Sequence, residues 1–96
     1  MVLESLTVNG GTITAYGIVD VDATFTLNGG SLTVNKEATD NEARVNASGD
    51  VTINGGSLTI NGGNAADSNN MLSGKNVFIN GGTVTVTGDA AGIETT

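Results

Sequence analysis

The stretch VTINGGSLTI at residues 51–60 occurs three more times, with small changes, in this chain of 96 residues. The other copies are LTVNGGTITA at 6–15, FTLNGGSLTV at 25–34 and VFINGGTVTV at 77–86. In each copy apolar residues alternate with Thr or Ser, except that Phe78 takes the Thr position in the last copy. This is the period of two that a β-strand imposes. The Asn-Gly-Gly between the two alternating segments is a turn signal. Each copy therefore predicts strand, turn, strand.

The spacing of the copies predicts a solenoid. The Asn-Gly-Gly units begin at Asn9, Asn28, Asn54 and Asn80, with separations of 19, 26 and 26 residues. Repeats of this length are typical of coils that cannot bury their apolar face alone and must stack. We expect one domain over 1–96, because this length suits a single core. The repeats run roughly over 1–16, 17–42, 43–68 and 69–96.

Alignment of the copies on the Asn gives four columns that are apolar at every position. A register slip of one residue would turn each column to solvent, so the register is strongly specified. Stacked coils would lie about 4.8 Å apart, with like residues packed on like. The columns are Leu6/Phe25/Val51/Val77, Val8/Leu27/Ile53/Ile79, Ile13/Leu32/Leu58/Val84 and Ala15/Val34/Ile60/Val86.

These patterns predict an all-β fold, a parallel β-helix (β-solenoid) of about four coils. The alternative is a set of hairpins, since Asn-Gly also favours hairpin turns, and residues 25–27 would then pair antiparallel with 32–34. In the solenoid, Asn tolerates and Gly supplies the positive φ of the corner, and the Asn amides stack into a ladder. The predicted corner residues are Asn9, Asn28, Asn54, Asn80, Gly10, Gly29, Gly55 and Gly81. A third side of the coil is predicted at Val19, Val45 and Met71, which share one offset from the following Asn.

Composition excludes several classes of function. The net charge of −7 opposes binding to nucleic acid, whose phosphates require Lys and Arg. The absence of Cys and His removes thiol chemistry and the usual general base. No apolar run is long enough for a membrane span, so we expect no membrane insertion. With Lys36, Arg44 and Lys75 as the only cations, a lyase or glycosidase site is not expected, and we predict no enzyme activity.

Three groups of residues are candidate binding sites. Outward Thr residues form a repeated [Ser/Thr]-x-Thr face that could bind ice, although Thr also suits any exposed strand. Carboxylates in turns are potential calcium ligands, and solvated loop charge is the alternative. Tyr16 and Phe78 are predicted to point outward, whereas Phe25 points inward. An exposed ring such as Phe78 could stack on a sugar, contact a partner, or simply be tolerated at the surface. The Thr residues are Thr14, Thr33, Thr59 and Thr85, and the carboxylates are Asp20, Asp22, Glu37, Asp40, Glu42, Asp67 and Asp89.

The chain resembles a family of bacterial surface proteins with carbohydrate-binding β-helix domains, including polygalacturonate-binding members. The resemblance rests on DVTINGGSLTING at 50–62, NVFINGGTVTVTG at 76–88 and GDAAGIE at 88–94. It implies a right-handed helix, an extracellular or cell-surface location, binding of acidic or plant-type polysaccharide, and calcium in acidic loops. The first expectation is thus a non-enzymatic polysaccharide-binding module.

A second expectation concerns the ends of the solenoid. Each end of such a stack presents unpaired backbone groups over apolar residues, and we find no capping segment in the sequence. Stacking of one copy on the next would not close and would propagate a fibre. The alternative function is therefore a structural subunit that stacks end to end into an extracellular filament, and an ice-binding Thr face is a minor alternative.

Overall fold

The chain folds into three parallel β-sheets that wrap around one core. The computed structural model describes residues 2–36, 43–62, 72–87 and 93–95, and these contain thirteen strands and no helix. Sheet A has the spatial order β1 (Val2–Leu3), β4 (Ile18–Val21), β7 (Arg44–Ala47), β10 (Leu72–Gly74) and β13 (Ile93–Thr95). Sheet B is built from β2 (Leu6–Val8), β5 (Phe25–Leu27), β8 (Val51–Ile53) and β11 (Val77–Ile79). Sheet C is built from β3 (Thr12–Tyr16), β6 (Ser31–Asn35), β9 (Ser57–Asn61) and β12 (Thr83–Thr87).

The strand order confirms the parallel β-helix. The chain visits sheets A, B and C in turn and then returns to sheet A one level higher, and it does so for four coils. Each strand pairs in parallel with its own copy in the next coil. Phe25 pairs with Leu6 on one side and Val51 on the other, so the hairpin alternative is wrong. We call the end formed by β1, β2 and β3 the bottom end, and the end formed by β11, β12 and β13 the top end.

The core lies between the three sheets and is aliphatic apart from one ring. Phe25, Leu27, Ile53, Leu58 and Ile60 are all 0% exposed. Burial alternates along β5, β6, β8 and β9, because every second side chain enters the core. The paired strands keep the predicted columns in register from the bottom coil to the top coil.

The third side of the coil differs from the prediction by one residue. Val45 pairs with Leu72, whereas Met71, which has the predicted offset, lies outside the described residues. The corner between β10 and β11 contains two residues, while the corner between β7 and β8 contains the three residues 48–50. Lys75 spans the shorter corner and donates its backbone N–H to the Gly49 carbonyl at 2.9 Å. The predicted offset from the Asn therefore fails in this coil, because its corner is one residue shorter while the strand keeps its register.

The positive φ of the corner lies on the second glycine of each Asn-Gly-Gly. Gly30 and Gly56 both have a φ of 75° in the described chain, and no Asn has a positive φ there. A glycine therefore supplies the positive φ, as predicted, whereas Asn does not adopt it. The first glycine is required for another reason: a Cβ on Gly55 would lie 2.8 Å from the carbonyl oxygen of Asn28 in the coil below.

Candidate functional site at the ends of the solenoid

The corner between sheets B and C carries a ladder of side-chain amides. The Nδ2 of each upper Asn donates to the Oδ1 of the Asn one coil below. The distances are 2.9 Å for Asn28 to Asn9, 2.8 Å for Asn54 to Asn28 and 2.9 Å for Asn80 to Asn54. The predicted ladder is confirmed. All of its bonds have the same direction, with the donor above and the acceptor below.

The backbone of this corner has the same polarity as the ladder. Asn28 N–H donates to the Val8 carbonyl at 2.8 Å, and Ser31 N–H donates to the Gly11 carbonyl at 2.8 Å. The upper coils repeat both bonds, for example from Thr83 N–H to the Gly56 carbonyl at 2.9 Å. The bottom end of the corner therefore presents hydrogen-bond donors, and the top end presents acceptors.

Three further polar ladders connect neighbouring coils, and the sequence reasoning missed them. All but one of the bonded pairs lie 26 residues apart, the spacing of the upper Asn-Gly-Gly units, and Asn46 and Ser73 lie 27 apart. That spacing is the signal that could have found them. The bonds run from Asn61 Nδ2 to Asn35 Oδ1 at 2.9 Å, from Asn46 Nδ2 to Asp20 Oδ1 at 3.1 Å, from Ser73 Oγ to Asn46 Oδ1 at 2.7 Å, and from Asn76 Nδ2 to Asp50 Oδ1 at 3.0 Å.

Some members of the core columns become exposed at each end, although Val8 and Ala15 in the bottom coil are buried. Ile79 is 48% exposed at the top end, whereas its column neighbour Ile53 is fully buried. Ile13 is 36% exposed at the bottom end, whereas its column neighbour Leu32 is buried. Each end therefore offers apolar side chains beside strand edges. In sheets B and C the strands at the bottom end have the same lengths as the strands at the top end.

Gly10 has surroundings unlike those of the other first glycines. A Cβ on Gly29, Gly55 or Gly81 would approach the carbonyl oxygen of the Asn below to between 2.7 and 2.9 Å. A Cβ on Gly10 would meet nothing within 4 Å, because Gly10 lies in the bottom coil, and its φ is not positive. The packing within this coil therefore does not explain a glycine at position 10.

The Thr residues of sheet C form rows across the coils. Thr14, Thr33, Thr59 and Thr85 are in register on adjacent strands. A neighbouring row contains Tyr16, Asn35, Asn61 and Thr87. The outer surface of sheet C is thus a grid of hydroxyl and amide groups, with one exposed ring at its bottom edge.

The two exposed aromatic residues do not share a site. Tyr16 is 61% exposed and lies on sheet C at the bottom end. Phe78 is 48% exposed and lies on sheet B at the top end, next to Thr52. Their predicted outward orientation is confirmed, as is the inward orientation of Phe25. Different sheets and opposite ends place the two rings on separate surfaces.

The structure brings few of the acidic residues together. Asp20 lies on β4, where it accepts the hydrogen bond from Asn46, and Asp22 follows β4 in an exposed corner. Within the described ranges no group of three or more acidic side chains could hold a metal ion. The other predicted calcium ligands lie outside the described residues; they are Glu37, Asp40, Glu42, Asp67 and Asp89.

No family model, no curated protein and no solved structure matches the chain. The resemblance to carbohydrate-binding β-helix domains therefore stays a prediction. The described part of the chain contains no helix that is long and apolar enough to cross a membrane.

Proposed function

We propose that this chain is a non-enzymatic structural subunit whose copies stack head to tail into an extracellular filament. In the stack, the bottom end of one copy continues the β-helix on the top end of the copy below. The single observation that carries the proposal is the glycine at position 10, together with the open space that surrounds it.

Stacking gives Gly10 the same role that the other first glycines have within the chain. In the stack, Gly10 would lie over Asn80 of the copy below, as Gly29 lies over Asn9. A Cβ on Gly29 would come within 2.9 Å of the Asn9 carbonyl oxygen, which is too close for any side chain. A glycine at position 10 thus supports stacking, because any other residue would hold the two ends apart.

The polarity of the corner supports head-to-tail stacking over the two symmetric arrangements. Asn9 N–H and Asn9 Nδ2 would donate to the Ile79 carbonyl and to Asn80 Oδ1, repeating bonds of 2.7 to 2.9 Å that occur at every level within the chain. Two bottom ends would oppose donors to donors, and two top ends would oppose acceptors to acceptors. Unpaired backbone groups at a buried edge are costly, and only the head-to-tail orientation pairs the donors of this corner with its acceptors.

The exposed core columns supply the apolar contact of the junction. Ile79 at the top end would cover Val8 of the next copy, in the column that Leu27 and Ile53 fill within the chain. Ile13 at the bottom end would cover Val84. Burial of apolar surface contributes about 25 cal/mol per Å², so these columns favour association.

The variant Gly10→Ala tests the proposal, since position 10 has space and an ordinary φ in the single copy. The wild-type protein is expected to form concentration-dependent fibres with an axial repeat of four coils, about 19 Å. Gly10→Ala should remain monomeric in sedimentation velocity and electron microscopy. Its unfolding temperature should be no lower than that of the wild type measured at a concentration below the onset of fibre formation, because assembly itself stabilises the folded state. Thr7→Ala, on the exposed face of β2, is the matched control and should form fibres.

Two results would contradict the proposal. One is a wild-type protein that stays monodisperse and monomeric at every concentration and salt condition. The other is a Gly10→Ala variant that assembles as the wild type does.

A second candidate function is polysaccharide binding on sheet C, which the row of Tyr16, Asn35 and Asn61 favours. An exposed ring beside planar amides suits stacking on a sugar and bonding to its hydroxyl groups. In affinity electrophoresis with polygalacturonate and with neutral glucans, Tyr16→Ala should abolish any retardation. Phe78→Ala, on the other sheet, should retain it. Equal migration of the wild type with and without every glycan would exclude this candidate.

A further inference from the structure

We infer that copies of this chain join by strand exchange in sheet A, where β13 of the lower copy takes the place of β1 in the copy above. This inference rests on the proposed head-to-tail stacking and specifies its junction. It follows from an asymmetry of the described structure: sheet A has five strands, whereas sheets B and C have four each.

The extra strand β13 already occupies the level that the next copy would need. Ile93, Glu94 and Thr95 pair with Leu72, Ser73 and Gly74 of β10, so β13 begins a fifth coil on sheet A. In the next copy, β2 and β3 would occupy this fifth level on sheets B and C. The strand of that copy that belongs to the same level on sheet A is β1. Both strands cannot occupy one position.

The strand β1 is the more easily displaced of the two. It has two residues, which pair with Asp20 and Val21 of β4, and Val2 is 70% exposed. The strand β13 has three residues, each paired with β10. Removal of β1 exposes the lower edge of β4 in the upper copy, and β13 of the lower copy can then cover that edge.

The register of the exchanged strand follows from the columns of sheet A. Val19, Val45, Leu72 and Ile93 share one column, and Asp20, Asn46, Ser73 and Glu94 share the next. In the junction, Ile93 would pair with Val19 of the upper copy, Glu94 with Asp20, and Thr95 with Val21. The Asp22 N–H, which donates to the Leu3 carbonyl at 2.8 Å, would donate to the Thr95 carbonyl instead.

The exchange increases strand pairing in all three sheets. The strands that gain a partner are β13 with three residues, β11 with three and β12 with five, whereas only β1 with two residues loses its partner. The β-helix then continues through the junction without a missing level. Its axial repeat is four coils, about 19 Å. A junction that kept both strands would leave an empty level in sheets B and C and lengthen the repeat to about 24 Å.

Pairs of introduced cysteines distinguish the possible junctions, because the chain has no cysteine of its own. The variant with Asp20→Cys and Glu94→Cys reports on strand exchange. Within one copy these positions are three levels apart, about 14 Å, beyond the Cα separation of about 4.4–6.8 Å that a disulfide allows. Across the exchanged junction they are in register on adjacent strands. The other two pairs report on the alternative junctions. If β1 of the upper copy displaced β13, Val2 would lie over Ser73, and the variant with Val2→Cys and Ser73→Cys would cross-link. If both strands were kept, Val2 would lie over Glu94, and the variant with Val2→Cys and Glu94→Cys would cross-link.

Assembled samples of each variant are oxidised and separated by non-reducing gel electrophoresis, with the single-cysteine variants as controls. We expect a ladder of covalent multimers from only one of the three pairs, Asp20→Cys with Glu94→Cys. The single-cysteine variants should give dimers at most. A ladder from either other pair, in fibres that still form, overturns the strand exchange but leaves the stacking intact. Monomers in electron microscopy for the wild type overturn the stacking and the exchange together.

Discussion

The Nδ2 atom of Asn54 lies 2.8 Å from the Oδ1 atom of Asn28, one coil below, although the two residues are 26 positions apart in the chain. Asn54 also accepts a hydrogen bond from Asn80 above it, at 2.9 Å. A single side chain thus connects three coils. The bond direction of this ladder gives the Asn-Gly-Gly corner a donor end and an acceptor end, which supports head-to-tail stacking.

Removal of one ladder amide is expected to cost stability in proportion to the bonds it makes. Asn54→Ala removes two side-chain bonds and should lower the free energy of unfolding by about 1–3 kcal/mol. Asn9→Ala removes one and should cost about 0.5–1.5 kcal/mol. Urea unfolding of both variants in the monomeric Gly10→Ala background, monitored by circular dichroism, checks this order, because stacking would give Asn9 a second bond. An equal cost for the two would mean that the amides do not act as a ladder.

The second glycine of the Asn-Gly-Gly corner has a positive φ at every level but is closely packed only above the bottom coil. Two variants, made in the monomeric Gly10→Ala background, separate these effects. Gly11→Ala meets only the strain of a φ of 80°, because nothing lies within 4 Å of a Cβ there. It should cost about 1 kcal/mol. Gly56→Ala adds a Cβ 2.5 Å from the Gly30 carbonyl oxygen. It should cost about 3 kcal/mol or more, or prevent folding. Thermal unfolding of the two variants gives the comparison, and a Gly56→Ala variant as stable as Gly11→Ala would refute the packing argument.

Residues of one core column should differ in their contribution according to their level in the stack. Ile53 and Ile79 are register partners, yet Ile53 is 0% exposed and Ile79 is 48% exposed. In the monomer, Ile53→Ala should cost about 2–5 kcal/mol and Ile79→Ala about 1 kcal/mol. Both variants are made in the Gly10→Ala background, which keeps the protein monomeric, and their free energies of unfolding are measured with denaturant. In fibres the cost of Ile79→Ala should rise, because stacking buries that side chain.

Assembly is expected to strengthen as charge repulsion between copies is reduced. Each copy carries a net charge of −7, and its isoelectric point is near 4.1. Added salt shortens the screening length from about 30 Å at 0.01 M to about 8 Å at 0.15 M. Fibre formation, followed by sedimentation and light scattering, should therefore increase with salt and as the pH falls toward the isoelectric point. Assembly that is strongest at low salt would indicate an attractive charge contact instead, and Gly10→Ala should stay monomeric throughout.

The sequence by itself determined the strands, their faces and the stacking of like on like. Alternation with a period of two distinguishes the inside of a strand from its outside, which is why the orientations of Phe25, Tyr16 and Phe78 were predictable. The repeat of Asn-Gly-Gly fixed the parallel register, because only that register keeps every inward position apolar. These are local or periodic properties, and they need no knowledge of the neighbours in space.

Only the tertiary structure decided what each residue meets one level above or below. The two-residue corner before β11 places Leu72, not Met71, beside Val45, since corners absorb changes in length that strands cannot. Asp20 supports a ladder with Asn46, a bond that depends on the coil above it. The distinct roles of the two corner glycines, and the open space beneath Gly10, likewise arise from contacts between coils. Such contacts join residues about one repeat apart, and their atomic geometry exists only once the coils are stacked.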